Sequence, residues 1–250
     1  MIGIIATATC REAVRSRSFI GLLAIYAAAV LLSRVVGWIS GTDGDVVTTD
    51  VVFSLQSVIG VLVAVATGTA LVHSEIQQRT LYTVLSRPLA RWQFVVGKFL
   101  GLLSALLIGQ AAMFAIGILY LAITGAPLHL HMLYAGLLTA EEVCLMAAVS
   151  LCWTALSSPL LAAVLCLVTY ALGHAVHELP GLIHHLKGWQ RPTAVALASL
   201  IPDLGNFSYR NRAVYGEPIL PRDFIAIPYG LLWMGLLLTI TIGVVRKKQL

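Results

Sequence analysis

The 250 residues are 59% apolar and 11% charged, with a mean hydropathy of +0.91. Soluble domains carry roughly 25% charged residues, so a soluble protein of this length is excluded and a polytopic membrane protein is left. The net charge of +5 is not gathered into one basic patch, which argues against nucleic acid as a partner.

The chain opens MIGIIATATCREAVRSRSF. It has no basic leader, and its short apolar run stops at Arg11, so no cleavable signal is expected. Arg11, Arg15 and Ser18 share one helical face, and Ala6, Cys10, Ala13 and Val14 share another. That pattern predicts an amphipathic interfacial helix over residues 1–18. A helix needs about 20 apolar residues to cross the bilayer core. Six runs meet or approach this length: Phe19–Ile39, Val51–Val72, Val95–Ile123, Met132–Leu156, Leu160–Val176 and Phe224–Val245. Ser157, Ser158 and Pro159 alone separate the fourth from the fifth, and proline suits a first helical turn, so a tight hairpin is expected there. The fold class is therefore all-α integral membrane, one transmembrane domain over 1–250, with no internal repeat.

Charge fixes an orientation. With both termini in the cytoplasm, the inner segments hold ten Lys and Arg: Arg11, Arg15, Arg17, Arg79, Arg87, Arg91, Lys98, Arg246, Lys247 and Lys248. The outer segments hold six: Arg34, Lys187, Arg191, Arg210, Arg212 and Arg222. The inside excess follows the positive-inside rule. The long outer loop, 178–223, contains the apolar stretch 193–201 between Pro192 and Pro202. It is too short to span and predicts a re-entrant or surface helix. Cys144, Cys152 and Cys166 lie in apolar runs and Cys10 near the start, with no metal-type spacing, so all four read as small hydrophobes.

The segment 74–98, SEIQQRTLYTVLSRPLARWQFVVGK, is basic and broken by proline between two spans. Ser74 with Gln77 can cap a helix start. Leu81, Val84 and Leu85 share a face, and Pro88 ends the turn. A short helix parallel to the membrane and joined to two spans can carry a push from a cytosolic partner, or can simply fix topology on anionic lipid. Glu75, Thr80, Pro88, Arg91 and Gly97-Lys98, spaced E-x4-T-x7-P-x2-R-x5-G-K, resemble the loop after the second span of the ATP-binding-cassette type 2 permeases. The N-terminal REAVRSRSF, the six-span plan and IPDLGNFSYRNRAVYG at 201–216 are similar to that family as well. Arg79 stands where the family often has glycine.

The resemblance implies that 74–98 is a cytoplasmic coupling helix docking on a separate ATPase through Glu75, Arg79, Thr80, Leu81, Val84, Leu85, Arg87, Pro88 and Arg91. The chain has no G-x4-G-K-[ST] loop, so ATP and magnesium would belong to the partner, and this chain would be a transport subunit with no catalytic residues and no cofactor of its own. The resemblance further implies a dimer with a second copy or a sister permease, contact with membrane lipids, a multi-pass place in the inner membrane, and export rather than import.

Glu141 and Glu142 sit inside the fourth span, where a charge costs roughly 2.5–3.5 kcal/mol on insertion scales. Adjacent positions are about 100° apart on a helix, so the two need not share surroundings. Gln110, Thr139, His129 and His131 are candidate partners. With Gln110, the pair reads either as a transport path or gate, or as a hydrogen-bonded helix lock. Arg34 is expected to snorkel to headgroups. Arg210 and Arg212 read as contacts to an anion or to solvent. His174, His177 and Glu178 share a helical face and could ligate zinc or copper, but the spacing is not H-E-x-x-H and no thiolate joins them, so no metal is expected. Gly97 and Gly101 form G-x3-G and predict a close helix contact. A metal- or haem-handling protein using the outer histidines, or a membrane scaffold, stand as alternative functions.

Overall fold

The computed structural model describes residues 2–39, 44–77, 91–183, 192 and 199–247. The helices are α1 (Ile2–Arg15), α2 (Arg17–Ile39), α3 (Gly44–Gln77), α4 (Arg91–Thr124), α5 (His131–Leu156), α6 (Pro159–Ile183), the short α7 (Arg210–Val214) and α8 (Ala226–Lys247), with 3-10 turns at Leu204–Phe207 and Pro221–Ile225. Among the described residues, six helices are long and apolar enough to cross a membrane, and they correspond to the six expected runs.

The boundaries differ where polar residues can start or extend a helix. α3 begins at Gly44, seven residues before the apolar run at Val51. Asp45 lies in its first turn, where a carboxylate complements the helix dipole. Thr48 and Thr49 return their hydroxyls to the carbonyls of Gly44 and Asp45. At its other end α3 runs unbroken to Gln77, so Ser74 lies in its last turns and does not start a new helix. No proline or glycine stands between Leu71 and Gln77 to stop it. Likewise α6 continues through Pro180 to Ile183, past the expected loop start at 178. The hairpin at Ser157–Ser158 is as expected: Ser157 closes α5 through Trp153 O, and Pro159 opens α6. Gly125, at φ +78°, ends α4 with the Ala126 N–H bonded to Leu121 O, a left-handed cap that favours glycine.

α5 is the centre of the bundle. In its membrane window 89% of residues are buried, against 67% for α3 and a third or less for each of the others. Neighbouring helices reach it and α3 through glycine notches. A Cβ on Gly60 would lie 2.0 Å from Gln110 Nε2, one on Gly68 2.0 Å from Ser150 Oγ, and one on Gly136 2.6 Å from the Phe114 ring. The contacts give the register. Gly60 meets Val143 and Gly68 meets Ser150, so α3 and α5 run parallel. Gly109 meets Phe19 and Gly117 meets Tyr26, so α2 and α4 run together in the opposite sense.

The Gly97/Gly101 notch receives α1. Gly97 faces Ile5 and Ile2 O, and four residues on Gly101 faces Ala6 O and Thr9. Because both sides advance in step, α1 lies along the first turns of α4. Thr9 and Ala13 are buried in the contact, and Ser16 then caps α2 by accepting from Phe19 N–H at 3.2 Å. Arg34 pairs with Asp45 at 2.9 Å, joining the adjoining ends of α2 and α3 where snorkelling was expected.

A Cβ on Gly101 would lie 2.5 Å from the Ala6 carbonyl oxygen, a backbone atom that cannot turn aside. Gly101→Ala should therefore destabilise by about 1–3 kcal/mol through overpacking. Gly21 has nothing within 4 Å of its added Cβ, so Gly21→Ala should be neutral or stabilise by up to about 1 kcal/mol. Melting in detergent checks the sign of each. The thiol of Cys10, half-buried on α1, reports detachment: Gly101→Ala should speed its alkylation, because the other three cysteines are buried.

Candidate functional site

Two connected features mark the site: a polar junction inside the bundle, and a cavity where α6 meets the connectors between α6 and α7 and between α7 and α8. In the junction Glu142 is 1% exposed. Ser57 of α3 donates to its Oε2 at 2.9 Å, and His174 Nε2 of α6 lies 2.9 Å from its Oε1. Ser57 Oγ also lies 3.2 Å from the Tyr170 hydroxyl, and the Tyr170 and His174 rings meet edge-on at 4.8 Å. Two helices therefore supply partners for one buried carboxyl group, as buried polar groups require. A second pair, Gln56 Nε2 to Gln110 Oε1 at 3.0 Å, joins α3 to α4 one residue away from Ser57.

Glu141 faces the other way. Its carboxylate oxygens are buried without a hydrogen-bond partner, beside Gly230 of α8, whose absent Cβ leaves them room, and near the Phe207 ring. The two adjacent carboxyls thus occupy different interfaces, as the 100° step between neighbours allows.

Two connectors build the cavity with α6 and α8. Leu204 is fully buried against Gly173, where a Cβ would lie 2.7 Å from Leu204 Cγ. Asp203 accepts from Gly205 N–H at 3.0 Å, lies 3.2 Å from His177 Nδ1, and gives its own N–H to the Tyr229 hydroxyl at 2.7 Å. The 3-10 turn is thereby tied to both α6 and α8. Arg212 is ion-paired with Asp223 and lies over the Tyr209 ring at 4.9 Å. That hydrogen bond to Asp223 holds the guanidinium above its ordinary pKa. Asp223 also accepts from Leu220 N–H at 2.7 Å, and its carbonyl accepts from the Tyr134 hydroxyl of α5 at 3.0 Å. The enclosed volume is about 960 Å³, lined by His174, His177 and Glu178 of α6, by Gly205 to Arg212 in part, and by Asp223, Ile225, Ala226 and Tyr229. His174 belongs to both features, so the buried carboxylate is one side chain away from the cavity.

The expected site residues fall out as follows. Arg79, Thr80, Leu81, Val84, Leu85, Arg87 and Pro88 lie outside the described residues, while Glu75 is in α3 and Arg91 begins α4. His174 and His177 each face a carboxylate on a different element, Glu142 and Asp203. Among the described residues no three His, Cys, Asp or Glu side chains are grouped as a metal would need. Gln110 is bonded to Gln56, and Thr139 to the Ala135 carbonyl, so neither serves Glu142. The partners that sequence reasoning missed are Ser57, Tyr170, Gln56 and Asp203. Ser57 next to Gln56 in an otherwise apolar run was the available signal, since polar side chains in a span seek partners.

A comparison with curated proteins finds no match to the chain. The family model described as ABC-2 family transporter protein matches residues 4–176. That range takes in α1 to α5 and most of α6, and so contains Ser57, Gln110, Glu142 and His174. The match and the six long apolar helices agree on a multi-pass membrane protein of the transport kind: the chain belongs to the ABC-2 transporter family.

Proposed function

We propose that the chain is the membrane-spanning permease subunit of an exporter in the inner membrane, driven by ATP and magnesium in a separate cytosolic ATPase and working as a dimer with a second copy or a sister permease. The observation that carries this reading is the family match over residues 4–176, which spans most of the bundle. Both termini and the segment between α3 and α4 are placed in the cytoplasm, on the inner excess of Lys and Arg.

The coupling role of that segment has geometric support on either side of it. α3 and α4 are 34 residues each, or ~51 Å at 1.5 Å per residue, against a bilayer core of about 30 Å. α3 continues five residues past its apolar run, which ends at Val72, toward the connection at 78–90. A partner pressing on Leu81, Leu85 and Arg91 would act on two long levers. Those levers meet at Gln56 and Gln110, and the first of them holds Ser57 against Glu142. We assign Glu142, with Glu141 and Gln110, to the path or its gate: a tilt of α3 takes Ser57 from the carboxylate and leaves His174 to answer it.

Leu81→Asp, Leu85→Asp and Arg91→Ala should leave membrane insertion intact and remove substrate-stimulated ATP hydrolysis in liposomes containing the chain and its ATPase. Unaltered stimulation in all three variants would refute the coupling role. In a Cys10→Ala background, Thr83→Cys should react with a membrane-impermeant thiol reagent from the cytoplasmic side only; labelling from the opposite side alone reverses the topology.

Glu142→Ala should lower transport by tenfold or more with basal ATPase activity kept, and cost about 1–2 kcal/mol of stability by orphaning Ser57 and His174. Glu142→Gln keeps an acceptor for Ser57 and should fall between the two. Full transport by Glu142→Ala would make the carboxylate a helix lock and no more.

A further inference from the structure

We propose that the cavity between α6, α7 and the start of α8 binds the anionic head of an amphipathic molecule, a phosphate or carboxylate carried on an apolar body. Binding by this chain needs no ATPase, so the proposal and the transport reading can fail separately.

The donors come first. Arg210 Nε and Arg212 Nη1 are buried without a hydrogen-bond partner, and both residues line the cavity. Leaving such donors unmet costs free energy, more so for a charged group. Arg212 is committed on its other side to Asp223. Arg210 has no ion pair with a described carboxylate. Asp203 and Glu142 are engaged by His177 and His174. Both arginines line the cavity, and a planar guanidinium matches the two oxygens of a carboxylate or phosphate. Glu178 on the α6 wall repels an anion, which sets the head on the Arg210 side.

Size and rim then decide what carries the head. About 960 Å³ is some thirty times the ~30 Å³ share of one water, and lies at the upper end of small-molecule sites. A bare inorganic anion would leave nearly all of it empty. Ile225 lines the cavity and is 65% exposed, and its neighbour Phe224 is 56% exposed. The rim therefore continues onto the apolar outside of the bundle at the start of α8, where an acyl or similar chain can lie while the head reaches Arg210. This chemistry is shared by a bilayer phospholipid and by a free amphiphile.

The test uses the full chain in a neutral maltoside detergent with monododecyl phosphate as the probe. Binding read from the melting temperature should saturate, and inorganic phosphate should bind at least 100-fold more weakly. Arg210→Gln should weaken the probe by about 10- to 100-fold, the usual range for one charge-assisted hydrogen bond. Arg210→Lys, which keeps charge but loses the fork, should weaken it less. Arg34→Gln, outside the cavity, should leave it unchanged. Size-exclusion elution at the wild-type volume qualifies each variant, and Arg210→Lys decides alone if Arg210→Gln fails that check. A second arm assigns the source. Displacement of the probe by phosphatidylglycerol gives the site to a bilayer lipid, and retention of the probe gives it to a different amphipathic anion. Non-saturating binding, or equal binding by wild type and the qualified Arg210 variants, overturns the proposal.

Discussion

A helix enclosed by other helices can have its polar groups met only by protein, because neither water nor lipid can reach it. α5 is under that constraint along nearly its whole length. Its Ser and Thr hydroxyls settle locally: Thr139, Ser150 and Thr154 each donate to a carbonyl three or four residues back on α5. Glu142 cannot, since its carboxyl oxygens need donors and the N–H groups of its own helix are already bonded. It must recruit neighbours, and it takes Ser57 from α3 and His174 from α6. The glycine notches at Gly60, Gly68 and Gly136 serve the same demand, because α3 and α4 come near enough only where a side chain is missing. In lipid the hydrophobic effect does not press helices together, so close packing and these few polar bonds carry the association.

The constraint gives α3 a special position. It is the second most buried span, it bears Gln56 and Ser57 side by side, and its far end leads into 78–90. Any displacement of α3 is felt by both polar pairs together. Each such bond is worth only about 0.6–1.7 kcal/mol in membrane proteins. Exchanging partners at Glu142 is therefore a small energetic step.

Much of the bundle was legible because lipid contact enforces long apolar runs, and the hairpin was legible because Ser157-Ser158-Pro159 permits nothing longer. The Gly97/Gly101 contact was legible as a motif, though not its partner, since the α1 residues it meets are more than 90 positions away in sequence. Where α3 begins was hidden by Asp45 and Asp50: hydropathy counts them as loop, while a helix N-terminus welcomes them. Segment 74–98 drew attention as a motif, yet the helix start assigned to Ser74 fails because nothing in HSEIQ interrupts α3. The partners of Glu142 were illegible for a simpler reason. Ser57 is 85 residues before it and His174 is 32 after it, and no local pattern connects them. The cavity was harder still, because its walls come from α6, a 3-10 turn, α7 and α8, each unremarkable alone.

Arg212 of the cavity is nonetheless fixed by the same helix that organises the bundle. Tyr134 of α5 reaches the Asp223 carbonyl, stacks edge-on with Tyr209 at 5.3 Å, and lies beside Phe224 at 5.5 Å. Tyr209 is itself 2% exposed and gives its hydroxyl to Glu217 O at 2.7 Å, while Gly216 at φ +67° turns the chain back after α7. Arg212 rests on that ring and is held by Asp223. On the far side, Leu204 in the Gly173 notch and the Asp203 N–H on Tyr229 hold the 3-10 turn. α7 thus stands between anchored segments with two aromatic rings beneath it. A ligand entering such a cavity does not have to order these residues first, and that ordering is a main cost of association for side chains and loops. An arginine–anion contact there would keep more of its energy for binding.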